Sequence, residues 1–226
     1  MAVKHHDNTA GRLFLTLKLA LPFLLIQAGI LLILYFIFPV LTIIPALFII
    51  FTLYFFRNPK REIPAGENLI LSPADGVVME IDEVFEEKFI KDKAVRVSIF
   101  LSIFNVHLNR SPVQGEVRYR HYRPGKFIPA FKSHASEINE KNYIGIECRG
   151  FKILVCQVTG FIARRIKCWA EEGRHLAGGE LIGVIQFGSG TELFIPAGSR
   201  IFVKKGNRVR AGETVIGTLP EPGNSW

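Results

Sequence analysis

From Leu19 to Phe56 the chain runs for 38 residues without a charged side chain. One helix needs about 20 apolar residues to cross a bilayer. The run is therefore long enough for two short spans, and "FPVLTIIP" supplies a break, because Pro39 and Pro45 each end or kink a helix. A hairpin returns both ends to one side. Lys4, Arg12 and Lys18 precede the run and Arg57, Lys60 and Arg61 follow it. The positive-inside rule assigns such flanks to the cytoplasm. The reading is an N-terminal transmembrane helical hairpin over residues 1–56, in the cytoplasmic (inner) membrane, with the body facing the cytoplasm. A cleaved signal peptide would carry a much shorter apolar core and a small-residue cleavage site. A single tilted span, which would put the body outside, and a re-entrant hairpin in one leaflet both stay open.

Residues 57–226 have ordinary composition and the length of one domain. The formal net charge of the chain is +8. Such a charge suits nucleic acid or anionic lipid, and basic residues set against an apolar segment favour lipid over nucleic acid. The three cysteines, Cys148, Cys156 and Cys168, are an odd number with no CxxC spacing. They form neither a disulfide framework nor a zinc site, and no other metal-ligand spacing occurs.

After "FFRNPKREIPAGENLIL" the apolar pattern changes from helical to strand-like. Strands are expected at Val77–Ile81, Val95–Leu101, Gly115–Tyr122, Tyr143–Cys148, Ile153–Thr159, Leu181–Phe187, Thr191–Ile195 and Arg200–Lys204, with helix only at Ala130–Lys141 and Ile162–Glu172. The fold class is mainly β (α+β), a β-sandwich or barrel behind the membrane hairpin. Two pieces, "SPADGVVMEI" and "VKKGNRVRAGETVIGTL", each set glycine at a sharp turn into a β-branched strand. The second has the turn pattern of lipoyl-like hammerhead folds. It predicts turn conformations at Gly206 and Gly212 that a Cβ would oppose, with Val209 and Val215 in the core.

Three residues invite chemistry. Asp75 lies in "SPADG", which is also a good turn. His107 ends the apolar strand in "FLSIFNVHLNRSP", where a structural histidine is common. Ser189 lies in "GVIQFGSGTELFIP", and Gly188-Ser189-Gly190 reads locally as a tight hairpin turn. Taken together, an acid, a histidine and a serine can form an activated nucleophile. "QFGSG" is not the GxSxG nucleophile elbow and no helix follows it. A serine after glycine can instead attack the preceding carbonyl, so that the Gly188–Ser189 bond itself becomes the target. A membrane-bound serine hydrolase and a non-enzymatic lipoyl-like module remain the alternatives. Lys204 and Lys205 sit poorly for the modifiable lysine that the module would need.

In order, "FFRNPKREIP", "LSPADG", "FNVHLNRSPVQG", "PGKFIPAF", "NEKN", "VTGFIARRIKCW", "GVIQFGS" and "GNRVRAGETVIGTL" make the chain resemble the phosphatidylserine decarboxylase proenzymes of short bacterial and archaeal type, from about Phe55 to Leu219. The resemblance implies self-cleavage at Gly188–Ser189 into a β chain (1–188) and an α chain (189–226). Ser189 would become a covalent pyruvoyl cofactor that forms a Schiff base with the amine of phosphatidylserine in the membrane, yielding phosphatidylethanolamine and CO2 in phospholipid biosynthesis. It implies Asp75 and His107 as the acid and base that activate Ser189, and places Glu140 and Asn142 near the substrate. A homo-oligomer stays open. The chain departs from the family pattern at Gln186 and Gly190, where arginine is usual, and at Ser133-His134, where Asp-Lys is usual. These departures bear on headgroup contacts. Arg164 and Arg165 are candidates for phosphate or for an exposed face.

Overall fold

The computed structural model describes residues 8–125, 139–160, 165–186 and 189–220. The chain divides into two compact units, Met1–Lys60 and Arg61–Trp226.

The first unit is helical. Helix α1 (Thr9–Ile37) starts at Asn8, whose side chain accepts a hydrogen bond from Gly11 N at 2.6 Å, satisfying one of the unpaired amides of the first turn. It continues through Pro22 and gives way to a 3-10 turn at Pro39–Thr42, then helix α2 (Ile43–Phe55). The second helix lies back along the first: Gln27 Nε2 donates to Thr52 Oγ1 at 2.8 Å, and the rings of Phe23 and Phe56 stack with centroids 5.4 Å apart. Helix α1 is 29 residues long and apolar enough to cross a membrane, and a shorter apolar segment, Pro39–Phe55, contains α2. The two helices are unequal in length. The break falls at Pro39 rather than also at Pro45, which sits in the first turn of α2, where its missing N–H costs no helical bond. Leu25, Ile33, Phe36 and Ile50 are exposed.

The second unit is mainly β. Its largest sheet has eight antiparallel strands in the order β13 (Arg208–Val209), β2 (Gly76–Glu86), β3 (Asp92–Leu101), β11 (Ser189–Pro196), β7 (Phe151–Thr159), β6 (Lys141–Cys148), β5 (Gly115–Arg123) and β9 (His175–Leu176). Two three-stranded sheets accompany it: β1 (Leu69–Leu71), β14 (Val215–Thr218) and β12 (Arg200–Ile201); and β4 (Leu108–Arg110), β10 (Leu181–Gln186) and β8 (Arg165–Cys168). Alternation sets the faces. Val97, Ile99 and Leu101 of β3 join the main core with Ile144, Ile146, Ile153, Val155, Leu193 and Ile195. The opposite face of β7 carries Leu154, Cys156 and Val158, which pack with Tyr143 and with Phe89 from the β2–β3 connection. That connection is held by Glu86, whose carboxylate accepts from the amides of Lys88, Phe89 and Ile90 at 2.9, 2.8 and 2.7 Å.

Most of the expected strands are present and longer than their apolar runs, but of Arg200–Lys204 only Arg200–Ile201 is strand, and Phe187 lies outside the described residues. Several expectations are corrected. Strands β10 and β11, on either side of Gly188, belong to different sheets and do not pair with each other as the two arms of a hairpin. Residues 165–168 of the expected helix at Ile162–Glu172 form β8, because Ile166 and Cys168 pair with Ile185 and Gly183 of β10; 161–164 lie outside the described residues. Of Ala130–Lys141, residues 130–138 lie outside the described residues, and Lys141 opens β6 instead of closing a helix. Gly206 and Gly212 do take positive φ, 90° and 76°, and Val209 is in the core. Val215 is only partly buried, and Ile216 fills the core in its place. The two glycine-turn pieces meet, since β13 pairs with β2 and Gly206 N donates to Val78 O at 2.7 Å.

Candidate active site

Asp75 occupies the tight turn that leads into β2. Ser72 Oγ donates to Ala74 O at 2.7 Å and folds the turn back on itself. Gly76 is required because a Cβ there would lie 2.2 Å from Phe100 O on the neighbouring strand. The Asp75 carboxylate is buried. It accepts from Arg61 Nη2 at 2.9 and 2.8 Å and from Ala211 N at 2.8 Å. Among the described residues its hydrogen bonds go to these two partners and not to His107.

His107 is 1% exposed. It follows a turn in which Asn105 Oδ1 accepts from Ser102 N at 2.9 Å and Ser102 Oγ at 2.8 Å. Its Nδ1 lies 3.0 Å from Asn105 O. A carbonyl can only accept, so Nδ1 carries the proton and a neutral ring has its lone pair on Nε2. The His107 carbonyl in turn accepts from Ile185 N at 3.1 Å, which fixes the histidine segment to the end of β10.

Ser189 opens β11, opposite Leu101 of β3 and Thr159 of β7. Along the core face, the rows of Val, Ile and Leu give way near this end to Thr191, Gln157 and Asn142, all buried. Thr159 donates to Glu140 O through both N (3.0 Å) and Oγ1 (3.3 Å), so the backbone of Glu140 stands one strand from Ser189. Burial pushes the Glu140 carboxyl above the ordinary carboxylate range, against opposing hydrogen bonds from Tyr122 and the Ile166 backbone. Asn142 is 2% exposed and gives its amide to Gln157. Gln186 is buried and pairs with Arg165, which is exposed at the start of β8. At Gly190 an added Cβ would meet nothing closer than 3.7 Å, so the backbone there leaves room for a side chain. Gly188, Arg164, Ser133 and His134 lie outside the described residues.

The segments bearing Asp75, His107 and Ser189 thus converge at one end of the central sheet. Sequence reasoning missed Arg61, Asn109, Gln157 and Thr191. Arg61 was legible only as a basic flank of the apolar run, and the others as ordinary polar residues. A cavity of about 720 Å³ elsewhere, lined by Glu67, Arg118, Cys148, Arg149 and His175, includes none of the candidate residues.

The family model for phosphatidylserine decarboxylase matches residues 48–217. The chain is 55% identical over 174 residues to the phosphatidylserine decarboxylase proenzyme of Carboxydothermus hydrogenoformans, covering 76% of this chain and 82% of that one. It is 50% identical over 173 residues to the proenzyme of Symbiobacterium thermophilum, covering 76% and 80%. The match takes in Asp75, His107, Glu140 and the junction before Ser189, together with every strand of the β unit except the end of β14. The chain belongs to the phosphatidylserine decarboxylase family of enzymes.

Proposed function

We propose that this chain is a self-cleaving, pyruvoyl-dependent decarboxylase that converts phosphatidylserine to phosphatidylethanolamine and CO2 at the cytoplasmic membrane. Beyond family membership, the observation that carries this reading is the register around the scissile bond. Ser189 is paired on both sides in the central sheet, while β10, ending at Gln186, is bonded to the His107 segment in another sheet. The Gly188–Ser189 bond therefore joins two independently anchored strands, with a buried histidine fixed beside one of them.

In the proposed reaction His107 takes the proton of the Ser189 hydroxyl, whose oxygen attacks the Gly188 carbonyl carbon. The Gly188 C–N bond breaks, the nitrogen takes a proton, and an ester remains. Loss of the Ser189 α-proton expels the Gly188 carboxylate and leaves dehydroalanine. Water then replaces its nitrogen, which departs as ammonia. Asp75, bonded to Arg61 and Ala211 and not to His107, enters this trio as the acid that the family resemblance implies.

The residues present fit a pyruvoyl group at position 189. Strand β11 is held by its pairing with β3 and β7 and not by the bond before Ser189, and Gly190 adds no side chain beside position 189. Such a group supplies the electron-withdrawing carbonyl that takes up charge as the substrate carboxylate leaves. Glu140 is a candidate for contact with the substrate. The apolar helix α1 and its basic flanks suit a substrate that resides in a membrane of anionic lipid.

Intact mass measurement of the purified full chain tests the reading. Two pieces split after Gly188 are expected, the smaller with a blocked start, and Ser189→Ala should leave one chain that forms no phosphatidylethanolamine. An intact wild-type chain that decarboxylates the lipid would overturn it. Labelling of Ser189 by a fluorophosphonate would point to a hydrolase instead.

A further inference from the structure

One buried amide touches all three segments of the proposed site. Asn109 is 0% exposed. Its Nδ2 donates to Pro73 O at 3.2 Å and to Thr191 Oγ1 at 3.1 Å. Its Oδ1 accepts from Gln157 Nε2 at 2.8 Å, and Gln157 Oε1 accepts from Asn142 Nδ2 at 2.8 Å. Pro73 stands two residues before Asp75, Asn109 two after His107, and Thr191 two after Ser189.

The direction of the chain of bonds is fixed from one end. Pro73 O is a backbone carbonyl and can only accept, so Asn109 must turn its NH2 toward it. Its oxygen then faces β7, which obliges Gln157 to present its own NH2 and to leave its oxygen for Asn142. Both N–H groups of Asn109 and its oxygen are used. Gln157 is also pinned from the small sheet, since a Cβ at Gly183 would lie 2.9 Å from Gln157 Nε2. The apolar alternation already fixes which side chains face the core, and the buried polar network adds directional contacts that link the three segments to one another.

We propose that Asn109, oriented by Gln157, is the positioning residue that holds the Asp75 turn, the His107 strand and the Ser189 strand in the mutual register required for self-cleavage. The proposal rests on the function proposed above. The described contacts of the Asn109 side chain are to Pro73, Thr191 and Gln157, and it acts through the placement of Asp75, His107 and Ser189.

The test follows self-cleavage of freshly synthesised full chain by gel, with thermal unfolding measured on the same preparations. Thr191→Val keeps the shape of the side chain and removes the acceptor, while Thr191→Ser keeps the hydroxyl. Thr191→Val should slow cleavage by about 10- to 100-fold, the scale of a small misplacement of reacting groups. Thr191→Ser should stay within about 2-fold of wild type, since its hydrogen bond is kept. Asn109→Asp, which loses both donors, should be at least as slow as Thr191→Val. For Thr191→Val, which neither adds nor removes a titrating group, the pH dependence of the residual rate should keep its wild-type midpoints. Cleavage of folded Thr191→Val at the wild-type rate would overturn the proposal, whether or not Asn109→Asp folds. A shifted midpoint would also overturn it. An uncleaved wild-type chain would instead overturn the function on which the proposal rests.

Discussion

Arg61 Nη2 lies 2.9 and 2.8 Å from the two carboxylate oxygens of Asp75, and both side chains are almost wholly shielded from water. Arg61 also reaches Glu213 at 3.5 Å. Removing one member of a buried pair leaves an uncompensated charge and costs about 3–5 kcal/mol. Arg61→Met should therefore destabilise the full chain by that order in detergent, measured by denaturant unfolding. The double variant Arg61→Met/Asp75→Asn should recover part of the loss, because it no longer buries a lone carboxylate. Additive single effects would show that the pair is not coupled.

Glu140 gives a pH dependence of defined sign. Burial raises its folded-state pKa above the unfolded value, which for a glutamate is about 4.3. The folded protein thus holds this proton more tightly. The associated stabilisation is fully present below the unfolded pKa and is lost as pH rises through the folded one. Glu140→Gln should flatten that part of the stability-versus-pH curve, read as unfolding temperature across the acid range. An unchanged slope would assign it to other carboxylates.

At Gly76 the backbone approach is too close for any side chain. Gly76→Ala would put a methyl carbon 2.2 Å from Phe100 O, forcing β2 away from β3 beside Asp75. Overpacking of this kind costs about 1–3 kcal/mol or more. A lowered unfolding temperature and slowed self-cleavage are expected together. A variant with wild-type stability would mean that the strand shifts freely.

The thiols should separate by reactivity. Cys156 is completely buried, and burial pushes its thiol, and less strongly that of Cys148, up from the ordinary range. Cys168 is only partly buried. The thiolate is the reactive form. In the native protein a thiol reagent should label Cys168 first and Cys156 only on unfolding, as followed by peptide mass mapping.

The strands were legible because β-branched runs alternate over enough residues to reveal two faces. The short strands β4, β8, β9 and β13 were not, since two to four residues carry no period and owe their form to the neighbours they pair with. "FGSG" misled for a related reason. Glycines mark a change of direction, but no local signal tells a hairpin from a passage between sheets. Ser189, His107 and Asp75 could be picked out by their chemistry and motif context. Asn109 and Gln157 could not, because their meaning lies in contacts between residues 48 positions apart. Arg61 was read only as a basic flank of the apolar run, and its pairing with Asp75 emerges only when the turn and the entry segment are brought together.

Strand β11 is paired with β3 from Ser189 to Pro196 on one side and with β7 from Ser189 to Phe194 on the other. A chain cut at its first residue would lose its memory of assembly while keeping its shape. The pieces would stay together as long as the sheet survives, yet the smaller one, once melted out, would have to find a slot between two strands that close over its absence. Under the proposed reaction, activation is thus a one-way event in the life of each molecule. The uncut chain can fold, unfold and fold again, whereas the working enzyme has a single native history and should not return from denaturant with its activity.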